Sequence, residues 1–239
     1  MVTFELLLPI GAVGFYLFDS AALLYGNEFI FTLHSDRWTC SEGSDLILRG
    51  RRLYLPNPFT PQRLSFRISW SELKLDEPAG DVAKILALRR NLRPLAILDQ
   101  LLLILIVFAM PAVIAFLGTG AALLAVFGAC YLVALVLIGL LYRRRSHLGL
   151  TTRQLLGLSL DSVLCPPFAI NLVRKIALHQ SLVGDPVAFA KVNFAPQDFA
   201  DLVAAIFKRL DLDMGELDRA EEQWAQLQAY REHLMSISK

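Results

Sequence analysis

Two carboxylates stand where a charge is costly. Asp19 lies within the apolar run Phe4 to Tyr25, and Asp99 lies near the start of the longer run Leu95 to Tyr142. Ionisable groups among lipid chains are expensive and face a partner or a transport path. Counting about 1.5 Å per helical residue from the end of its run, Asp19 sits roughly 10 Å deep. Asp99 sits at a comparable or slightly shallower level. Such a pair has two chemistries open to it. One is carriage of protons or an ion. The other is structural pairing with long basic side chains that snorkel inward, Arg93 or one of Arg143 to Arg145. A transport path displays more polar residues than these two and Gln100, so pairing is the expected role.

Guanidinium groups are the second set with chemistry. Arg89, Arg90, Arg93, Arg143, Arg144 and Arg145 flank the run Leu95 to Tyr142, and planar guanidinium forks suit phosphate. They are the expected contacts to anionic lipid headgroups. Arg49, Arg51, Arg52, Arg63 and Arg67 form a further group, but Glu28, Asp36, Glu42 and Asp45 nearly cancel it. That region reads as a solvated face.

Catalytic motifs do not assemble. Gly118-Thr119-Gly120 begins like a dinucleotide fingerprint, yet no strand precedes it and the third glycine is missing. There is no P-loop, no G-x-S-x-G and no H-E-x-x-H. His34, His147, His179 and His233 are far apart, and Cys40, Cys130 and Cys165 contain no C-x-x-C. A metal site, a cofactor site and a disulfide framework are therefore not expected. Asp211 and Asp213 have the spacing of a metal-holding pair but directly follow an amphipathic helix, and they read as its polar end. A net charge of +1 implies no bulk attraction to nucleic acid.

The elements that must position these residues follow from periodicity. Beyond Asp99 no charged residue occurs until Arg143. A hydrocarbon core about 30 Å thick takes about 20 apolar residues of helix, and Leu95–Tyr142 supplies that twice around Gly118-Thr119-Gly120. The expectation is a transmembrane helical hairpin over 95–142. Pro111 should kink its first arm. Ala112, Ala115 and Gly118, with Ala121, Ala125 and Ala129, offer small residues for close packing of the arms. Basic residues flank both ends, so both ends are expected in the cytoplasm. Mean hydropathy of +0.50 and 19% charged residues, against about 25% in ordinary globular chains, agree with a membrane protein.

Residues 1–27 form a third expected span, or an interfacial helix, with the N-terminus on the opposite side from the cytoplasm. Residues 28–73 change to a period of two: Leu64, Phe66, Ile68 and Trp70 alternate with Ser65, Arg67 and Ser69. That pattern predicts half-buried strands, a small cytoplasmic antiparallel sheet of three or four strands. It should lean on the membrane, the C-terminal region or another subunit. Residues 74–94 are a linker and juxtamembrane helix. Residues 143–239 are a cytoplasmic helical region. It carries six basic residues against Asp161 alone up to Lys175, then ten acidic against six basic residues. Thr151 or Thr152 should cap a helix through Leu164, and Pro166-Pro167 should end it. Phe199, Leu202, Ile206 and Phe207 form an apolar stripe on a helix over 196–210. With Trp224 and Leu227 they make an expected partner-docking surface, the last segment repeating Leu217, Ala220, Trp224, Leu227 and Leu234.

The fold class is thus an α-helical integral membrane protein with a β insertion and a helical cytoplasmic tail. The function expected from it is a non-catalytic inner-membrane subunit, a scaffold or accessory in a multi-protein envelope complex, with lipids and other subunits as partners. Two alternatives stand beside it. One is a membrane enzyme or binding protein for a phosphorylated or lipid-linked substrate. The other is a transporter or channel component using Asp19 and Asp99.

Overall fold

A segment that is apolar on every side satisfies its backbone within itself, and a helix does so residue by residue. The computed structural model describes residues 4–34, 37–69, 82–180, 185–216 and 222–237. They fall into two compact units, one of Met1–Ala21, Pro56–Arg63 and Val82–Ile176, the other of Ala22–Leu55, Leu64–Asp81 and Ala177–Lys239.

In the first unit, α1 (Phe4–Ser20) has 17 residues, roughly 26 Å of helix. It stops short of the expected end at Tyr25, because Ala22–Leu24 is a strand. The first arm of the hairpin is α2 (Val82–Leu103), a π-helical stretch at Ile104–Ala109, and α3 (Met110–Leu117). The second arm is α4 (Ala121–Arg144). No break separates a juxtamembrane helix from the hairpin; Pro94 sits inside α2. Residues 70–81, with Trp70 and most of the expected linker, lie outside the described residues. The π-helical stretch ends two residues before Pro111, which has no N–H to give the ordinary four-residue bond. The turn before it widens, and the Met110 N–H reaches back to the Leu105 carbonyl. Gly118 reverses the chain at φ 73°, a left-handed conformation that glycine enters without strain.

The arms pack through large side chains. Met110, Ile114 and Leu123 are buried together, with Val113, Val126 and Phe127 against them. The small-residue expectation is corrected here: Ala112, Ala115, Ala121 and Ala125 are exposed, and Gly118 and Ala129 half-buried. On the first arm, Met110 and Ile114 are four apart and share one helix face. Ala112 and Ala115 point elsewhere. After the hairpin comes α5 (Thr152–Leu164), where Thr151 accepts from the Gln154 N–H at 3.3 Å and the Gln154 side chain accepts from the Thr151 N–H at 2.9 Å. This reciprocal cap satisfies two orphan donors. Pro166-Pro167 opens the short α6 (Pro166–Ala169), and α7 (Leu172–His179) follows, with its residues up to Ile176 in this unit.

Among the described residues the second unit holds six strands, β1 (Ala22–Leu24), β2 (Glu28–His34), β3 (Arg37–Ser41), β4 (Ile47–Leu48), β5 (Arg51–Tyr54) and β6 (Leu64–Ser69). They form two antiparallel sheets, ordered β1-β5-β4 and β3-β2-β6, rather than the one small sheet expected. Arg49 and Gly50, both at positive φ, make the two-residue turn between β4 and β5. Phe31 pairs with Phe66 and Leu33 with Trp38 across the second sheet. The described residues of this unit also form the helices α8 (Pro186–Asn193), α9 (Pro196–Glu216) and α10 (Glu222–Ile237). The Trp38 ring meets Phe189 edge-on at 5.1 Å, and Phe31 meets Phe194 at 4.9 Å. Short strands bury too little alone, and here the C-terminal helices cover the second sheet, while Ile47 and Leu48 of β4 stay exposed.

That covering corrects the docking stripe. Leu202, Ile206 and Leu227 are buried, at 1%, 0% and 2% exposure, while Phe199, Phe207 and Trp224 are half-buried. Leu202, Ile206 and Leu227 are core of their own unit. Leu217 and Ala220 lie outside the described residues.

Candidate functional site

The first unit contains a buried polar node, and α7 is its axis. The first N–H groups of a helix have no partner inside it. The Val173 N–H, in the first turn of α7, donates to Asp99 Oδ2 at 3.0 Å. A carboxylate at this end also complements the helix dipole. Asp99 therefore caps α7 from another helix, α2.

Asn171, Arg174 and Lys175 surround that contact. The Asn171 amide donates to the Tyr16 carbonyl and to Asp19 Oδ2, each at 3.1 Å. Arg174 Nη1 donates to Asn171 Oδ1 at 2.9 Å, and Nη2 to the Asn57 and Thr60 carbonyls at 3.3 and 3.2 Å. Those carbonyls belong to the stiff proline-rich segment Pro56–Arg63, which the Tyr16 hydroxyl also holds by donating to the Pro58 carbonyl. Lys175 Nζ lies 2.7 Å from Asp19 Oδ1 and 5.2 Å from the Phe168 ring centre, a cation–π distance. Asp99, Asn171, Arg174 and Tyr16 are all at most 2% exposed, so these bonds act in a low dielectric. Pairing there is strong, and an unpaired group is costly. Among the described residues, Asp99 Oδ1 and Gln100 Oε1 have no hydrogen-bond partner.

Both sequence-predicted carboxylates thus enter one network, but their partners differ from those expected. Asp19 takes Lys175 and Asn171 in place of a flanking arginine. Asp99 takes a backbone N–H and lies in the field of Arg174. Arg144 instead donates to the Asn91 carbonyl at 3.1 Å, tying the feet of the two arms together. Arg145 stacks over Tyr142 at 5.2 Å. Arg90, Arg93, Arg143 and Arg145 are exposed, and Arg89 and Arg144 half-buried. Asn171, Arg174 and Lys175 did not stand out in the apolar run around them. Their spacing, i, i+3 and i+4, was the available signal, since it sets three polar groups on one helix face.

The second unit has its own buried cation. Arg209 donates to the carbonyls of Gly26, Glu28 and Glu42 at 2.6, 2.8 and 2.8 Å and lies 4.1 Å from the Phe29 ring centre. Burial, with Arg52 nearby, lowers its pKa below the ordinary arginine value. The other arginines of the strands are engaged as well: Arg37 with Asp198, Arg51 with the Tyr25 hydroxyl, Arg52 with Glu42 and Arg67 with Glu28. Burial pushes the Cys40 thiol up to about 12 against the pull of Arg209, and raises Cys165 also. A protonated thiol is a poor nucleophile. Asp211 pairs with Arg231 at 3.2 Å, and among the described residues no three of His, Cys, Asp and Glu gather to hold a metal ion.

The node ties three segments, α1, the hairpin foot and Pro56–Arg63, to one helix. Its chemistry is that of a brace, with one carboxylate oxygen to spare. Comparison of the chain with protein-family models, curated proteins and solved structures gives no match.

Proposed function

We propose that the chain is a non-catalytic subunit of a multi-protein assembly in a bacterial-type inner (plasma) membrane, anchored by its hairpin with the C-terminus in the cytoplasm. One observation carries the reading. The most apolar windows of Ala83–Leu117 and Ala121–Arg144 have mean hydropathy 2.7 and are only 28% and 22% buried. The core helix of a water-soluble protein has such surface covered, whereas Phe116, Leu124 and Leu132 are 86%, 73% and 64% exposed. A continuous apolar surface of this kind calls for lipid or protein against it. The exposed arginines at the hairpin feet favour contact with anionic headgroups.

Alkaline washing of membranes followed by gentle detergent extraction tests this. The chain should stay in the pellet, need detergent for release and co-purify with stoichiometric partner chains. Release into buffer without detergent overturns the membrane reading, and a lone active monomer overturns the subunit reading.

A second reading, in which the node moves a proton, is favoured by Asp99 Oδ1 alone. Asp19→Asn and Asp99→Asn separate the two. As braces, both variants lower the amount of folded protein, because each removes a charge that Lys175 or Arg174 faces. If both accumulate at the wild-type level while a proton-coupled activity disappears, the carboxylates are carriers.

A further inference from the structure

We infer that the groove between α1 and the hairpin, closed at one side by Pro166 and Pro167, seats one acyl chain of a bilayer glycerolipid, an inference that rests on the membrane reading above. The groove has a volume of about 360 Å³ and none of its lining residues is charged. That volume lies in the range of ligand sites, roughly 300–1,000 Å³, in a class of molecule whose interiors leave few voids larger than water. Its space comes from backbone features. Gly11 lines it, and a Cβ placed there meets nothing within 4 Å. The π-helical stretch before Pro111 sets Ile106 on the wall, and Met110 follows it. Such local widenings of a helix recur at functional sites, and an unbranched thioether adapts to a flexible neighbour.

The lining selects the occupant. With no charged side chain, the walls offer an aliphatic ligand dispersion contacts and offer an ionic one nothing. Among the lining residues, Leu7, Phe15 and Tyr131 are 53%, 53% and 43% exposed, so the groove opens on the apolar outer surface of α1 and the hairpin. A chain of methylenes enters from that side without crossing water. A partner helix about 10–12 Å across is too wide for a recess of this volume.

Photo-crosslinking tests the assignment. The full chain is reconstituted into phosphatidylethanolamine–phosphatidylglycerol vesicles carrying a trace of phosphatidylcholine with a diazirine on its acyl chain. Adducts are mapped by mass spectrometry. Adducts at Met110 and Tyr131 are expected to exceed those at the outward-facing Leu124 and Leu132. Gly11→Leu should lower the groove adducts about tenfold, the effect of displacing some two methylene contacts, and leave those at Leu124 and Leu132 unchanged. Groove adducts no stronger than the outward ones in the wild type overturn the inference, and this arm stands even if Gly11→Leu does not fold. Persistence of groove adducts in a folded Gly11→Leu overturns it too. Loss of labelling at Leu124 and Leu132 as well overturns the membrane reading together with it.

Discussion

At the residue scale, the ion pair between Asp19 and Lys175 is the part of the node most open to measurement. Both side chains are largely buried, at 12% and 20% exposure, so solvent screens the pair only in part. Lys175→Ala should destabilise the chain by about 1–3 kcal/mol, measured by thermal unfolding in detergent. A double-mutant cycle with Asp19→Asn isolates the pair's own share; independent, additive losses would show that the 2.7 Å contact contributes nothing. Cys40 gives a pH prediction. Its folded-state value of about 12 stands above the ordinary 9.0. The folded chain therefore holds that proton where the unfolded chain has lost it. The stabilisation is full below pH 9 and is lost as pH rises toward 12. Cys40→Ala should flatten the fall in stability across that alkaline window, and the wild-type thiol should resist maleimide at pH 8 until the chain is unfolded. Rapid labelling of the native chain would contradict the assigned environment.

At the element scale, α9 separates two roles that look alike in a sequence. An amphipathic stripe can serve a partner or its own core, and the spacing of Leu202, Ile206 and Leu210 is the same for both. Burial decides, since Ile206 is 0% exposed. Ile206→Ala should cost about 2–4 kcal/mol by loss of packing and the cavity left behind, read from denaturant unfolding. A docking residue would leave unfolding unchanged and weaken only association. The cap of α5 behaves in a similar way. Thr151→Ala removes the hydroxyl that accepts from Gln154 and should cost about 1 kcal/mol, visible as a lowered melting temperature. An unchanged melting temperature would mean that the end of α5 is held by packing alone.

At the scale of the whole molecule, the proposed sidedness rests on charge. Arg143, Arg144 and Arg145 close the second arm with no acidic residue before Asp161, and Lys and Arg near a span are retained in the cytoplasm. Replacing all three with Gln should reduce the cytoplasmic signal of a reporter fused after Lys239. If the wild-type fusion is itself exported, the proposed orientation is inverted.

Composition and periodicity alone determined the helical hairpin, the turn at Gly118, a cap at Thr151 or Thr152, the period-two strands and the amphipathic α9. Each of these is local: it depends on residues within one or two turns, or on alternation along a single strand, and a linear pattern carries it. The same pattern marked Asp19 and Asp99 as costly, because a carboxylate among apolar neighbours is visible in one dimension. Which groups answer those carboxylates was decided only by the tertiary structure. Lys175, Asn171 and Val173 lie more than seventy positions away in the chain. Pairing at that separation depends on how helices pack, which no local spacing encodes. The small-residue face of the hairpin and the destination of the α9 stripe were misjudged for a related reason. A periodic stripe states that a face exists, and only the packed neighbours state what covers it.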